Sequence, residues 1–97
     1  MPRLADDEIT TGLKDLEGWS RSGEEIEKVY ELDSFPGAVA FVTRVGFLAE
    51  RADHHPDLDI RWRKVRVALS THSEGGISEK DLALAAEIEA VAQAGKQ

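Results

Sequence analysis

The sequence predicts an α+β fold in which a four-stranded antiparallel sheet carries three helices on one face. Apolar residues recur at helical spacing in three segments, and strand-like alternation marks two pairs of shorter segments. The predicted order is α-β-β-α-β-β-α. Strands that follow one another through short links pair antiparallel, and such a sheet is naturally covered by helices on one side. The chain therefore predicts a two-layer domain.

The first part of the chain predicts one helix and two strands. The helix has apolar residues at i, i+4 and i+7, namely Ile9, Leu13 and Leu16, and Gly18 is expected to end it. Trp19 then opens a short strand. A turn at Ser22-Gly23 leads into a second strand over Glu25 to Leu32.

The central helix is predicted from Phe35 to about Asp53, with Ser34 as its N-cap. It has two apolar faces: Val39, Val42, Gly46 and Ala49 form one, and Phe41, Val45 and Leu48 form the other. A helix that is apolar on two faces must bury both. We expect one face to contact the sheet and the other to contact a second helix or a second subunit. Pro56 disfavours helical geometry at His55, so the helix should end near His54.

The second strand pair follows this helix. Leu58, Ile60 and Trp62 alternate, as do Val65, Val67 and Leu69, and the change of parity predicts a tight turn at Arg63-Lys64. Ser78 to Asp81 resembles a capping box that opens a last helix. The buried stripe of this helix is expected to be Leu84, Ala85, Ile88, Val91 and Ala92.

Composition limits the classes of function. The 97 residues suffice for one domain, 1–97, and contain no cysteine, so disulfides and thiolate metal sites are excluded. A net charge of -7 argues against binding to nucleic acid or to an anionic membrane surface. The residues from Met1 to Glu8 show no apolar signal segment. The expected location is the cytoplasm.

All three histidines lie within one short part of the chain. His54 and His55 stand at the predicted end of the central helix, and His72 at the predicted end of the fourth strand. Glu50 precedes His54 by one helical turn, so the two are expected to form a pair that orients the imidazole. Histidines clustered at the ends of elements favour acid–base chemistry near neutral pH. Strand alternation, however, would turn His72 away from the apolar face.

Each of these residues also has a structural explanation of its own. A Glu-His pair one turn apart is most often a solvated helix face, and His-His-Pro alone is a helix stop. The third position of a capping box explains Asp81. Trp62 and Trp19 sit in strand patterns where packing in the core is the default.

The combination is more specific than its parts. Glu50, His54-His55-Pro56, Trp62, His72 and Asp81 stand at intervals that resemble the signature of the pterin-4a-carbinolamine dehydratase family. Ser70-Thr71-His72 followed by Gly75 to Ser78 resembles another block of that family, and Gly18-Trp19 matches as well. Trp62 replaces the more usual tyrosine. The resemblance spans about Leu13 to Val91.

The resemblance implies a fold, an activity and a set of site residues. The activity is that of a hydro-lyase without metal or organic cofactor, which dehydrates the 4a-hydroxytetrahydropterin left by an aromatic amino acid hydroxylase to the quinonoid dihydropterin. His54 is then the first choice as acid, His72 a second acid for the other ring face, and His55 a binding group or base. Supporting roles fall to Glu50, Pro56, Asp81, Trp19 and Trp62, with Trp62 expected to pack beneath the histidines.

Two alternatives stay open at this point. Members of the family also act as coactivators, so a non-enzymatic interaction module is the first alternative, and the two-faced central helix would serve it. The same helix and the small size predict a homo-oligomer, either a dimer or a tetramer. A zinc site formed by the three histidines with Glu50 or Asp81 is the second alternative. Adjacent histidines diverge by about 100° on a helix, which disfavours joint ligation.

Overall fold

Three helices and four strands follow one another in the predicted order. They are seen in a computed structural model that describes residues 2–94, so the outermost residues of the predicted domain, Met1 and 95–97, lie outside it. The helices are α1 (Asp6–Leu13), α2 (Phe35–Ala52) and α3 (Glu79–Ala94). The strands are β1 (Ser20–Ser22), β2 (Glu25–Glu31), β3 (Asp57–Arg61) and β4 (Lys64–Leu69). A short 3₁₀ turn, His72–Glu74, precedes α3.

The sheet is antiparallel throughout and has the order β1-β2-β4-β3. Its apolar face is built from aligned positions on neighbouring strands: Ile26 pairs with Leu69, Tyr30 with Val65, and Leu58 with Val67. Residues of all three helices join these side chains in one core, including Ile9, Phe41, Val45, Leu84 and Ile88. The prediction of an antiparallel sheet under three helices is confirmed.

The opposite face of the sheet carries charge. Arg66 in the central strand donates to Glu27 at 2.7 Å and to Glu25 at 2.8 Å, both on the adjacent strand. These cross-strand pairs keep the face polar, and a polar face needs no covering layer. This explains why the helices lie on one side only.

Helix α2 buries one face and exposes the other. Ser34 caps its start, since its hydroxyl accepts from the Gly37 N–H at 3.0 Å. The buried residues are Ala38, Phe41, Val45 and Ala49, so Ala49 belongs to the inner face and not, as predicted, to the face of Val39. The outer face leaves Phe35, Val39 and Phe47 exposed at 57%, 42% and 75%. Of the predicted positions, Val42 and Leu48 are half-buried against the core, whereas Val39 and Gly46 are exposed.

A polar cluster joins α3 to β2. Glu89 accepts from the Tyr30 hydroxyl at 2.6 Å and pairs with Lys28 at 2.8 Å, while the buried Trp19 ring donates its N–H to Tyr30 at 3.1 Å. Burial alone would raise the pKa of Glu89, but hydrogen bonds from Lys28, Tyr30 and Gln93 outweigh it and lower the pKa to about 2. Burial and the Glu89 carboxylate together raise the pKa of Tyr30.

Several boundaries differ from the prediction. Helix α1 ends at Leu13 and not at Gly18, because a tighter turn follows in which the Leu16 N–H donates to the Leu13 carbonyl at 3.1 Å. Strand β1 accordingly begins at Ser20, after Trp19.

The β3–β4 turn also differs from the prediction. It falls on Trp62 and Arg63, one residue earlier than predicted, with Trp62 in the left-handed region at φ 57°. Two-residue hairpin turns require a residue with positive φ, which is usually glycine or asparagine. Neither residue type occurs in this turn, so nothing in the sequence indicated its position.

Among residues 2–94, no helix is long and apolar enough to cross a membrane.

Candidate active site

The end of α2 places His54 outside the helix. Asp53 adopts a left-handed conformation, φ 51° and ψ 43°. Its N–H donates to the Glu50 carbonyl at 3.2 Å, and the His54 N–H donates to the Ala49 carbonyl at 3.1 Å. This pair of bonds is the Schellman arrangement, which reverses the chain direction at a helix C-terminus. His54 therefore turns toward the start of α3.

His54 meets a carboxylate that is completely buried. Its Nε2 lies 2.5 Å from Asp81 Oδ1, and the Asp81 side chain is 0% exposed. The second carboxylate oxygen accepts from the Thr71 hydroxyl and from the Ser78 N–H, each at 2.9 Å. Ser78 is the residue before α3, so Asp81 satisfies the capping-box prediction as well. A buried charge that accepts from three donors is stabilised.

The hydrogen bonds around Asp81 fix the direction of each proton. The single Thr71 hydroxyl proton is donated to Asp81, so the Ser78 hydroxyl must donate across the 2.7 Å contact to Thr71. The Ser78 oxygen in turn accepts from the Lys80 N–H at 3.2 Å. An ionised carboxylate only accepts, so His54 must carry its hydrogen on Nε2. Nδ1 is then the ring nitrogen left to exchange a proton with a ligand.

Glu50 has a different partner from the predicted one. It contacts His55 Nε2 at 3.1 Å, and both side chains are exposed. The prediction that Glu50 holds His54 is wrong, because the Schellman turn ends the helical spacing on which it depended. Exposed pairs of this kind contribute little to stability.

The three histidines line one cleft. We call it the histidine cleft; it measures about 300 Å³ and is lined by Asp53, His54, His55, Ser70, Thr71, His72, Ser73 and Lys80. His72 enters it from the 3₁₀ turn after β4, since the strand ends at Leu69. His72 therefore lies outside the strand, and the alternation that would have turned it away from the apolar face does not apply to it.

Two of the predicted supporting residues lie elsewhere. Trp62 stands in the turn beyond the far end of β3 and is 80% exposed, so the expectation that it packs beneath the histidines is wrong for this chain. Its positive φ removes it from the strand alternation that predicted burial. Trp19 is 6% exposed and packs edge-on against Tyr30 in the core. Pro56 is half-buried between α2 and β3, beside the histidine cleft but not in its lining.

Some residues of the site escaped the sequence analysis. Thr71 is 4% exposed and donates to Asp81, although the sequence marks it only as part of the Ser70-Thr71-His72 block. Asp53 and Lys80 also line the histidine cleft. Their positions in the sequence could have indicated them, because Thr71 directly precedes His72 and Lys80 directly precedes Asp81.

The groove between α1 and α3 and the possible metal sites are further candidates for a functional site. A larger groove of about 530 Å³ lies between α1 and α3, but its lining contains no histidine. Among residues 2–94, His, Asp and Glu side chains form no group of three or more that could hold a metal ion. The geometry therefore gives no support to the zinc alternative.

The family model described as pterin 4 alpha carbinolamine dehydratase matches residues 2–91 of the chain. The chain belongs to this family. A protein of Roseiflexus sp. (strain RS-1), provisionally named a pterin-4-alpha-carbinolamine dehydratase, is 56% identical over 92% of this chain and 96% of its own. A protein of Nocardia farcinica (strain IFM 10152) with the same provisional name is 52% identical over 93% of this chain and 95% of its own.

Solved structures share the fold of this pterin-4a-carbinolamine dehydratase family member. A transcriptional coactivator/pterin dehydratase from Brucella melitensis superposes with a TM-score of 0.89 at 34% identity, covering 93% of this chain and 98% of its own. A pterin dehydratase-like protein, described as a RuBisCO assembly factor in the alpha-carboxysome, has a TM-score of 0.67 at 24% identity. It covers 78% of this chain and 90% of its own, and it shows a likeness of fold alone.

Proposed function

We propose that the protein dehydrates a 4a-hydroxytetrahydropterin to the quinonoid dihydropterin by histidine acid–base catalysis. The observation that carries the proposal is the convergence of His54, His55 and His72 on one cleft, with His54 held by a buried carboxylate. A cleft of about 300 Å³ stands at the lower end of the range of roughly 300–1,000 Å³ typical of small-molecule sites. Family membership supplies the substrate class.

The reaction needs one proton delivered and one removed. The C4a–O bond breaks, the hydroxyl leaves as water after it is protonated, and the N5–H proton is lost as the C4a=N5 double bond forms. A protonated His54 is our choice for the acid, because Asp81 orients its ring and stabilises the imidazolium. His72 would be the acid for the opposite ring face, and the exposed His55 a binding group or base.

The proposed role of Asp81 is that of a positioning residue. It holds His54 through Nε2, so that Nδ1 is the nitrogen that would face the substrate. In this proposal catalysis needs no metal ion and no organic cofactor, and the protein would support pterin recycling after an aromatic amino acid hydroxylase.

The test is the rate of dehydration of freshly made 4a-hydroxytetrahydropterin with and without protein. A comparison of rates is needed because the reaction also proceeds unaided. His54→Ala should lower turnover by roughly 10²-fold or more. If His54 and His72 serve opposite faces, each single variant retains activity toward one 4a-epimer, and the double variant retains little toward either. Lys14→Ala, an exposed change after α1, is the control and should turn over normally.

Two outcomes would contradict the proposal. Full activity in the double variant, with an unchanged melting curve, would show that these histidines are not the catalytic groups. Loss of turnover after treatment with a chelator, restored by zinc, would overturn the metal-free mechanism.

A non-enzymatic interaction module is the second candidate. The exposed Phe35 and Phe47 on α2 favour it, because large apolar side chains in contact with water often mark a binding surface. The description of the Brucella protein names both roles. Absence of any rate enhancement, together with tight binding of a partner through α2, would favour this candidate over the dehydratase.

A further inference from the structure

The segment before α1 packs against the loop between β4 and α3, the loop that carries His72. Arg3 and Ser78 form an isolated antiparallel β-bridge, and the Leu4 N–H donates to the Ile77 carbonyl at 2.8 Å. Leu4 is half-buried against the hydrophobic core, which anchors the segment. The backbone of this segment therefore holds the last residues of the loop.

The Arg3 side chain extends further along the same loop. Its guanidinium donates to the Gly75 carbonyl at 3.4 Å, and the Gly75 N–H in turn donates to the His72 carbonyl at 3.1 Å. Arg3 also pairs at 3.5 Å with Glu24, which lies in the turn between β1 and β2. Two hydrogen bonds in series thus connect Arg3 to the turn from which His72 enters the histidine cleft.

Gly76 leaves the space that the Arg3 side chain occupies. A Cβ atom at this position would lie 2.6 Å from Arg3 Cδ and 2.8 Å from Glu24 Oε2, both shorter than a van der Waals contact. The backbone of Gly76 bonds with that of Thr71 in both directions, at 2.8 and 3.3 Å. The loop is therefore closed at its base by Thr71 and covered from outside by Arg3.

The two histidines of the proposed mechanism are held by different contacts. A buried carboxylate, that of Asp81, fixes the ring of His54. His72 is exposed and stands on the 3₁₀ turn, so the position of its ring depends on the backbone of that turn. We propose that Arg3 is a positioning residue that acts through Gly75 to keep His72 in the histidine cleft. This inference rests on the proposed function.

The test measures turnover of the two 4a-epimers separately. His72→Ala and His54→Ala show which epimer depends on which histidine. Arg3→Ala should lower kcat about tenfold for the epimer that depends on His72, because a loosened turn misplaces the acid without removing it. The epimer that depends on His54 should be turned over as it is by the wild-type protein.

Two further variants act on the same contact. Arg3→Lys keeps a cation that can donate to the Gly75 carbonyl, so it should restore most of the lost kcat. Gly76→Ala places a methyl group against Arg3 Cδ and should reproduce the effect of Arg3→Ala. The control is Arg61→Ala, which removes an exposed arginine paired with Asp59 on β3 and should turn over both epimers normally.

Amide hydrogen exchange gives a measurement without substrate. Arg3→Ala should speed exchange at Gly75 about tenfold and leave exchange at His54 unchanged, because the His54 N–H is bonded to Ala49. The Arg3–Glu24 pair is exposed, with side chains 58% and 55% accessible. Its loss should therefore lower the melting temperature by no more than about 5 °C, which separates positioning from folding.

The outcomes separate the inference from the proposed function. Unchanged exchange at Gly75 in Arg3→Ala, or an epimer profile that does not follow that of His72→Ala, would overturn the role of Arg3 while the dehydratase stands. If the wild-type protein accelerates dehydration of neither epimer, the proposed function fails. The exchange rate at Gly75 then still decides whether Arg3 holds the turn that carries His72.

Discussion

Asp81 takes part in two structures at once. It holds the ring of His54 in the histidine cleft, and it accepts the Ser78 N–H at the start of α3. Thr71 adds a third hydrogen bond from the end of the sheet. One buried side chain therefore connects α2, the sheet and α3 at the place where the chemistry is proposed.

Removal of this carboxylate should cost stability as well as activity. Asp81→Ala leaves the His54 ring, the Thr71 hydroxyl and the Ser78 N–H without their partner. We therefore expect the free energy of unfolding to fall by about 2–4 kcal/mol. For a domain of this size the melting temperature should then fall by more than about 10 °C. Thermal melts followed by circular dichroism give the measurement.

Glu8 supplies a matched control for Asp81. It stands at the same position of α1 and accepts the Ala5 N–H at 2.8 Å, but it is exposed and touches no histidine. Glu8→Ala should lower the melting temperature by no more than about 5 °C. Equal effects of the two changes would show that helix capping alone explains Asp81.

At the residue scale, the sequence predicted which residues lie together better than it predicted which of them contact each other. The pattern brought His54, His55, His72 and Asp81 together correctly, because the three histidines and the capping box stand at the ends of neighbouring elements. It paired Glu50 with the wrong histidine, because nothing in the sequence announced that Asp53 would adopt a left-handed conformation. Aspartate tolerates that conformation without demanding it.

At the scale of elements, Glu89 is the principal polar link between α3 and β2. Its pKa is lowered to about 2, against an ordinary value of 4.5, because hydrogen bonds from Lys28 and Tyr30 outweigh the effect of burial. A carboxylate with a depressed pKa in the folded state stabilises the fold above its ordinary pKa. That contribution is lost as the pH falls from 4.5 toward 2.

Glu89→Gln should therefore flatten the acid limb of the stability curve. We expect wild-type protein to lose stability steeply between about pH 4.5 and 2, and the variant to be less stable at neutral pH with a shallower fall. Denaturant melts at a series of pH values give the curve. Glu87→Gln, on the same helix in an exposed pair with Arg51, should leave its shape unchanged. An unaltered slope in Glu89→Gln would contradict the assignment.

The existence and order of the elements followed from periodicity, while their ends did not. Val65, Val67 and Leu69 occupy the strand positions that the alternation predicted, and all are buried. The end of α1 was misplaced because Leu16 continues the helical spacing although it reaches the core through a turn. Trp62 continues a strand pattern in the same way, although it lies in the turn and is exposed.

For the whole molecule, the outer face of α2 predicts self-association. Phe35, Val39 and Phe47 leave apolar surface in water on a domain too small to bury much by itself. Phe47→Glu should shift the protein toward a monomer, because a charge at an apolar contact between copies is costly to bury. Light scattering at micromolar concentration measures the change.

The control for this change is Lys14→Glu, which alters the charge after α1 and leaves α2 intact. It should scatter as wild-type protein does. A wild-type protein that is already monomeric at micromolar concentration would contradict the prediction of a homo-oligomer. Of the apolar positions that the sequence predicts on α2, Val42 and Leu48 pack against the core of the same chain. Val39, together with Phe35 and Phe47, is left for a second copy to cover.

Asp81 contributes both to folding and to the proposed site, and this affects which residues are retained when relatives evolve. A descendant that lost the reaction and kept only a binding role would still be selected to fold, and selection for folding alone retains Asp81, Thr71 and Ser78. The exposed His55 and His72 contribute little to the core, so they would be free to drift. Among relatives, conservation of the aspartate is thus a weak sign of catalysis, and conservation of the two surface histidines a strong one.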